Sequence, residues 1–273
     1  MKPSERPVRV PDLQRKKTRG EKISMLTAYD ATMARLLDAA GLDVLLVGDS
    51  LGMPVLGYNT TLNVTMEDMV RHTGAVCRGA SRALIVADLP FLAYQITTED
   101  ALRNAGRLLR EGAGAVKLEG GRSICPTIQR LVSAGIPVMG HLGLTPQSFH
   151  KLGGFRRQAT QPEGAEALVA DADALQEAGV FSLVLECIPY DLAERVSAQL
   201  HIPTIGIGSG PHCDGQVLVI NDLLGLSGSA TPPFAKQYAN LGDAVVQAAS
   251  AYHQDVLTGT FPSADQPEKK SSS

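Results

Sequence analysis

No run in the 273-residue sequence approaches the roughly 20 consecutive apolar residues that a membrane-spanning helix needs, so no membrane partner is expected. Charge of one sign is equally scarce. A formal net charge of -3 supplies no field for a nucleic-acid backbone, which leaves a small molecule as the expected partner. Cysteine is confined to Cys77, Cys125, Cys187 and Cys213, with no CxxC pair, and the N-terminus lacks the apolar centre of a secretory signal. These read as reduced thiols of a cytoplasmic protein. Cys187 and the pair His212-Cys213 match no zinc-ligand spacing. The early chain also lacks a GxGxxG turn, which weakens a dinucleotide-binding reading.

What the sequence does have is a recurring junction. Val44-Leu45-Leu46-Val47 reads as a strand buried on both faces, and it breaks abruptly into Gly48, Asp49 and Ser50. An unpaired carboxylate at the edge of a dry core is expensive, so Asp49 is expected to meet water, a cation or a donor. The same change from apolar run to polar group recurs at Asp88, at Lys117 and Glu119, at His141 and at Glu186. A helix-Ala-Gly-strand unit repeats as well, at Ala40-Gly41, Ala134-Gly135 and Ala178-Gly179, with a related Gly112 to Gly114. About eight strands alternate with helices, which predicts a parallel sheet with helical crossovers. An open doubly wound sheet and a closed barrel both fit that count. Polar groups ending so many different strands favour an α/β TIM (β/α)8 barrel, whose strand C-termini converge on one face.

The expected organisation follows. Residues 1–22, with Arg15-Lys16-Lys17 and Arg19, form a lead-in that packs on the barrel and is helical from Val10. Residues 23–259 form a single catalytic barrel, from a first strand over Ile23–Tyr29 to a last one over Val217–Ile220. A helix over Ala235–Leu257, with Val245, Val246 and Ala249 on one side, is expected to close it. Residues 260–273 read as a disordered tail.

The strand ends suggest chemistry. Asp49 and Asp88 suit one hard divalent cation, because Mg2+ commonly takes one or two carboxylates and keeps its other positions for water and substrate. In Lys117-Leu118-Glu119 the two-residue period of a strand sends both polar side chains to one face. The alternative is that Lys117 and Glu119 simply pair with each other. Glu186, set between Leu183-Val184-Leu185 and Cys187-Ile188-Pro189, is a candidate base for a proton on carbon beside a carbonyl, or else a buried glutamate satisfied by an arginine or backbone donors. His141 reads as a ligand, an acid or a core histidine. The connection from Thr145 to Pro162 is long for a βα loop and reads as a lid. Gly206-Ile207-Gly208-Ser209-Gly210 is a weak signal for a phosphate cradle.

Several stretches go further. Met25-Leu26-Thr27-Ala28-Tyr29-Asp30, Val47-Gly48-Asp49-Ser50-Leu51-Gly52, Val64-Thr65-Met66-Glu67-Asp68-Met69, Val86-Ala87-Asp88-Leu89-Pro90-Phe91 and Val116-Lys117-Leu118-Glu119-Gly120-Gly121 occur in that order. Gly140-His141-Leu142-Gly143-Leu144-Thr145-Pro146-Gln147 and Gly210-Pro211-His212-Cys213-Asp214-Gly215-Gln216 follow. From about Val10 to Leu226 the chain resembles the ketopantoate (3-methyl-2-oxobutanoate) hydroxymethyltransferase family.

The resemblance implies a TIM-barrel enzyme of pantothenate synthesis, related to the phosphoenolpyruvate mutase and isocitrate lyase superfamily. Such an enzyme transfers a one-carbon unit from 5,10-methylenetetrahydrofolate to 3-methyl-2-oxobutanoate, giving 2-dehydropantoate, and requires Mg2+. By the same resemblance Asp49 and Asp88 ligate the metal and bind substrate through it, and Glu119 completes the metal shell through water. Ser50 and Lys117 hold the keto acid, and Glu186 accepts the proton. A cytoplasmic homo-oligomer, commonly a decamer or octamer, is implied too. Ser209 stands where the family more often has alanine, and Leu226–Pro233 is an unusual junction. Two rivals are a relative acting on another 2-oxo acid and a barrel that only binds a metabolite. No separate cysteine loop of the lyase kind supports the first, and the intact set Asp49, Asp88, Lys117, Glu119 and Glu186 conflicts with the second.

Overall fold

Eight parallel strands pair in chain order into a closed barrel in the computed structural model, which describes residues 6–228 and 231–263. The strands are β1 (Ile23–Thr27), β2 (Val44–Val47), β3 (Leu84–Asp88), β4 (Ala115–Glu119), β5 (Val138–Gly143), β6 (Ser182–Glu186), β7 (Thr204–Ile207) and β8 (Gly215–Leu218). The crossovers run through α2 (Ala31–Ala39), α3 (Met66–Gly79), α4 (Thr98–Arg110), α5 (Cys125–Ser133), α6 (Phe149–Leu152), α7 (Pro162–Glu177) and α8 (Tyr190–Gln199), and α1 (Val10–Thr18) precedes β1. The chain divides after Ile220 into two compact units, and all eight strands belong to the first.

Local chemistry sets the helix ends. Asp30 accepts from the amides of Thr32 and Met33 to start α2, and Thr65 and Asp68 form a reciprocal capping box on α3. The repeated glycines of the helix-strand unit, Gly41, Gly112, Gly135 and Gly179, follow α2, α4, α5 and α7 with φ of 88°, 109°, 81° and 98°. That left-handed conformation ends each helix at little steric cost only for glycine.

Inside the barrel, Met25, Leu46, Val86, Ala115, Met139, Val184, Ile205 and Val217 share one buried cluster with Leu13 of α1. Lys16 reaches Asp43 at 2.8 Å and Lys17 reaches Asp214 at 2.9 Å. Asp43 and Asp214 immediately precede β2 and β8, so α1 covers the N-terminal end of the barrel and leaves the opposite mouth clear. Leu13 is fully buried, and Leu13→Ala is expected to lower stability by about 2–5 kcal/mol in urea unfolding, because the rigid barrel floor cannot collapse around the lost side chain.

Three expected boundaries move. The first strand ends at Thr27, because Asp30 is already the cap of α2 and Ala28 and Tyr29 form the connection. The last strand is Gly215–Leu218 rather than Val217–Ile220, with Ile23 opposite Gly215 and Leu26 opposite Leu218. Ile220 instead opens a short helix, α9 (Ile220–Leu223), and its amide donates to Thr27 Oγ1 at 2.9 Å. The final helix, α10, spans Leu241–Thr258, starting after Asn240, whose carboxamide bonds Asp243 at 2.5 Å. It belongs to the second unit, and the barrel is closed by the pairing of β8 with β1. Residues 264–273 of the expected tail, and positions 229 and 230 of the unusual junction, lie outside the described residues. Among the described residues no helix is long and apolar enough to cross a membrane.

Candidate active site

Strand periodicity builds the mouth. Leu84 and Val86 point into the barrel, and the next residue of that row is Asp88. Ala115 is followed in its row by Lys117 and Glu119, Met139 by His141, and Val184 by Glu186. Each inward row is therefore apolar near the floor and ionisable near the C-terminal face. Asp49 and Ser50 enter from the 3-10 turn that follows β2. Asp49, Asp88, Lys117, Glu119 and His141 are all buried, while Glu186 keeps some exposure.

These groups touch. Lys117 Nζ stands 2.9 Å from Asp88 Oδ1 and 3.3 Å from His141 Nδ1. His141 Nδ1 lies 3.4 Å from Glu119 Oε1 and its Nε2 lies 3.2 Å from Glu186 Oε2. Asp88 Oδ2 accepts the Asp49 amide at 3.0 Å. Lys117 thus pairs with Asp88, and the partner of Glu119 is His141. Ser50 Oγ lies 2.9 Å from the Tyr29 hydroxyl. Gly48 makes room at this point, since a Cβ there would stand 2.7 Å from Ser50 Oγ and 3.6 Å from Asp88 Oδ2.

Burial and mutual repulsion control the charges. Burial, then Asp88 and Glu119, push Asp49 well above the usual carboxylate range, and burial raises Asp88 against the pull of Lys117. Burial pulls Lys117 down, but Asp88, Glu119 and Asp49 together hold it above the ordinary lysine range. Burial and Lys117 both oppose a proton on His141, yet hydrogen bonds to Glu119 and Glu186 push it up to about 9. His141 in turn holds Glu119 below its ordinary value despite burial.

Among the described residues no three histidine, cysteine, aspartate or glutamate side chains form a ready-made metal cage. Asp49 and Asp88 offer two carboxylates, and the buried Asp88 Oδ1 has no hydrogen bond of good angle beyond its ion-pair contact. That donor set fits Mg2+, which leaves much of its octahedron to water and substrate. The four cysteines are free and take no part.

The same mouth contains residues that sequence reasoning passed over. Gln147 sits on the short turn Pro146–Ser148, and its Nε2 donates to Asp49 Oδ2 and to the Leu89 carbonyl, both at 2.9 Å. Tyr94, nearly fully buried, accepts the Glu119 amide at 3.1 Å. Gln147 closes the stretch Gly140–Gln147, but only the fold brings it to Asp49. Behind Glu186, the Ser209 hydroxyl donates to the Leu185 carbonyl at 2.8 Å and accepts from the Ile188 amide at 3.3 Å. The Ser209 hydroxyl thus braces β6 from the glycine-rich turn. Gly143, with φ of 93°, lies so close that a Cβ would meet the Glu186 carbonyl at 2.2 Å, which fixes glycine there.

Beside the mouth is a cavity of about 670 Å3, reached by Glu119 and Gln147 and walled by Tyr94, Leu142, Leu152 and Leu168. The long segment after β5 supplies Lys151, Leu152, Gln158 and Ala159 to its lining, and the Gln158 amide donates to the Cys187 carbonyl at 2.9 Å.

A closed parallel barrel with ionisable groups gathered at its strand C-termini defines the class of the (β/α)8-barrel enzymes. Solved structures agree on the fold: a 2,3-dimethylmalate lyase of the PEP mutase/isocitrate lyase superfamily superposes with a TM-score of 0.62 at 18% identity, covering 96% of this chain and 91% of its own. A phosphonopyruvate hydrolase in complex with oxalate and Mg++ gives 0.62 at 12% identity, over 95% and 92%. A sequence profile of the family described as ketopantoate hydroxymethyltransferase matches residues 7–264. The chain is 59% identical to the 3-methyl-2-oxobutanoate hydroxymethyltransferase of Moorella thermoacetica over 256 residues, covering 93% of this chain and 95% of the relative. That of Syntrophus aciditrophicus is 58% identical over 250 residues, covering 91% and 92%. The chain belongs to the ketopantoate hydroxymethyltransferase family and is a transferase.

Proposed function

We propose that the chain transfers a hydroxymethyl group from 5,10-methylenetetrahydrofolate to 3-methyl-2-oxobutanoate, giving 2-dehydropantoate. The observation that carries this reading is the convergence of Asp49, Asp88, Lys117, Glu119, His141 and Glu186 at one mouth. Asp49 and Asp88 would hold Mg2+, with Glu119 acting through water. When bound, the ion acts as a Lewis acid on the keto oxygen of a chelating 2-oxo acid. The barrel neighbour solved with oxalate and Mg++ supports this choice of ligand, oxalate being a chelating dianion of similar reach.

The protein side of the reaction follows from charge. Lys117 and Ser50 bind the substrate carboxylate and keep the keto acid in one orientation. Glu186 takes the C3 proton, and His141, charged at neutral pH, orients that carboxylate from 3.2 Å. The C3–H bond breaks, the new bond forms between C3 and the folate methylene carbon, and water supplies the hydroxyl oxygen as tetrahydrofolate leaves. The cavity beside Glu119 supports a large flat donor, being within the roughly 300–1,000 Å3 range of small-molecule sites. A cytoplasmic homo-oligomer, decamer or octamer, is carried over from the family resemblance.

Proton NMR of 3-methyl-2-oxobutanoate in heavy water, with enzyme and Mg2+, tests the first half. Loss of the C3 proton signal that needs both enzyme and metal is the expected result. A signal that persists even after methylenetetrahydrofolate is added would overturn the assignment of substrate.

A further inference from the structure

Gln147 has no role in the proton transfer just described, yet it is the most heavily bonded neutral side chain in the mouth. Its two amide ends face opposite kinds of partner. Nε2 meets two acceptors, Asp49 Oδ2 and the Leu89 carbonyl, each at 2.9 Å. Oε1 meets two donors, the Gln95 carboxamide at 2.9 Å and the Tyr94 hydroxyl at 3.0 Å. A flipped amide would set oxygen against oxygen at the Leu89 carbonyl and at the Asp49 carboxylate, so the orientation is fixed by its surroundings. The backbone amide of the same residue donates to Glu119 Oε2 at 3.0 Å. One residue therefore holds one oxygen of each of two carboxylates, leaving Asp49 Oδ1 for the mouth and Glu119 Oε1 for His141.

We infer that Gln147 is the positioning residue of the metal site, holding Asp49 through its side chain and Glu119 through its main chain in the rotation that receives the cation. The inference rests on the metal assignment proposed above. Three buried carboxylates, Asp49, Asp88 and Glu119, crowd one mouth. Without a fixed donor on Oδ2, Asp49 is free to turn about its last torsion away from its neighbours. A carboxamide suits the task because it donates without adding charge, so it orients the carboxylate without competing for it as a cation would. Tyr94 completes the clamp: its hydroxyl accepts the Glu119 amide and lies 2.8 Å from the Glu119 carbonyl, which ties the end of β4 to the turn that carries Gln147.

The test uses Mn2+ as a paramagnetic probe of the full chain without substrates, read by electron paramagnetic resonance, together with thermal unfolding in the absence of metal. Gln147→Met keeps the volume, removes the side-chain bonds and leaves the backbone amide on Glu119. It is expected to weaken Mn2+ binding about 10–100-fold, the usual cost of losing a group that orients a ligand, while the metal-free unfolding midpoint moves little. Tyr94→Phe, which loses only the hydroxyl, is expected to weaken binding in the same direction by a smaller factor, and it decides the matter if the methionine variant does not fold. A Kd unchanged in Gln147→Met, or in Tyr94→Phe where that variant must decide, overturns the inference if Asp88→Ala loses binding. Unchanged binding in Asp88→Ala as well would mean that the metal assignment itself has failed.

Discussion

Glu186→Gln is expected to lower kcat by about 10²–10⁴-fold, the range contributed by a positioned general base, while Mg2+ and the keto acid still bind. The substitution keeps the shape of the side chain and removes its capacity to take a proton. Glu186 ends the β6 row and makes no hydrogen bond to Asp49 or Asp88, so the end of the mouth proposed to chelate is left intact. Its charged contact is His141 Nε2 at 3.2 Å. Calorimetry for binding and a coupled assay for turnover separate the two effects. Turnover at the wild-type rate would remove Glu186 from the mechanism.

Asp88→Ala is expected to do the opposite, weakening both Mg2+ and keto-acid binding by more than about a hundredfold, above the usual loss for a group that only orients a ligand. Two consequences act together. One of the two carboxylates proposed to hold the metal disappears, and Lys117 loses the 2.9 Å partner that most strongly holds its charge. Removing one member of a buried pair costs about 3–5 kcal/mol where nothing replaces it, but Asp49 and Glu119 still face Lys117, so the fold is expected to survive. The substrate carboxylate then meets a lysine displaced from its place. Calorimetry with the chelate decides: an unchanged affinity would exclude Asp88 from the metal site.

Much of this site was legible because a strand is a two-residue ruler. Once Ala115-Val116-Lys117-Leu118-Glu119 is read as buried on both faces, Lys117 and Glu119 must share a face, and they share the inner one. Asp49, Asp88, His141 and Glu186 were marked by the same break from apolar to polar. The pairing was less accessible. Lys117 and Glu119 could have paired with each other, and only the lateral register, which sets Asp88 beside Lys117 and His141 beside Glu119, decides otherwise. Gln147 could not be found this way. It lies on an irregular turn with no periodicity, and its contacts reach 98 residues back along the chain to Asp49. The final helix starts later than its alanine-rich composition suggests, at Leu241 rather than Ala235, because Pro232, Pro233 and Asn240 precede it.

The alignment of Asp88 with Lys117, and of Glu119 with His141, also bears on how the chain finds its fold. A barrel of similar apolar strands has many near-equivalent ways to slide one strand past the next. A slip of one residue between β3 and β4 would leave Lys117 opposite Ala87 or Leu89, neither of which offers a side-chain charge. Each unmatched charge then costs about 3–5 kcal/mol, comparable with a domain's whole stability margin of roughly 5–15 kcal/mol. The ionic belt at the mouth therefore adds an energetic preference for the native register that an all-apolar lining would lack.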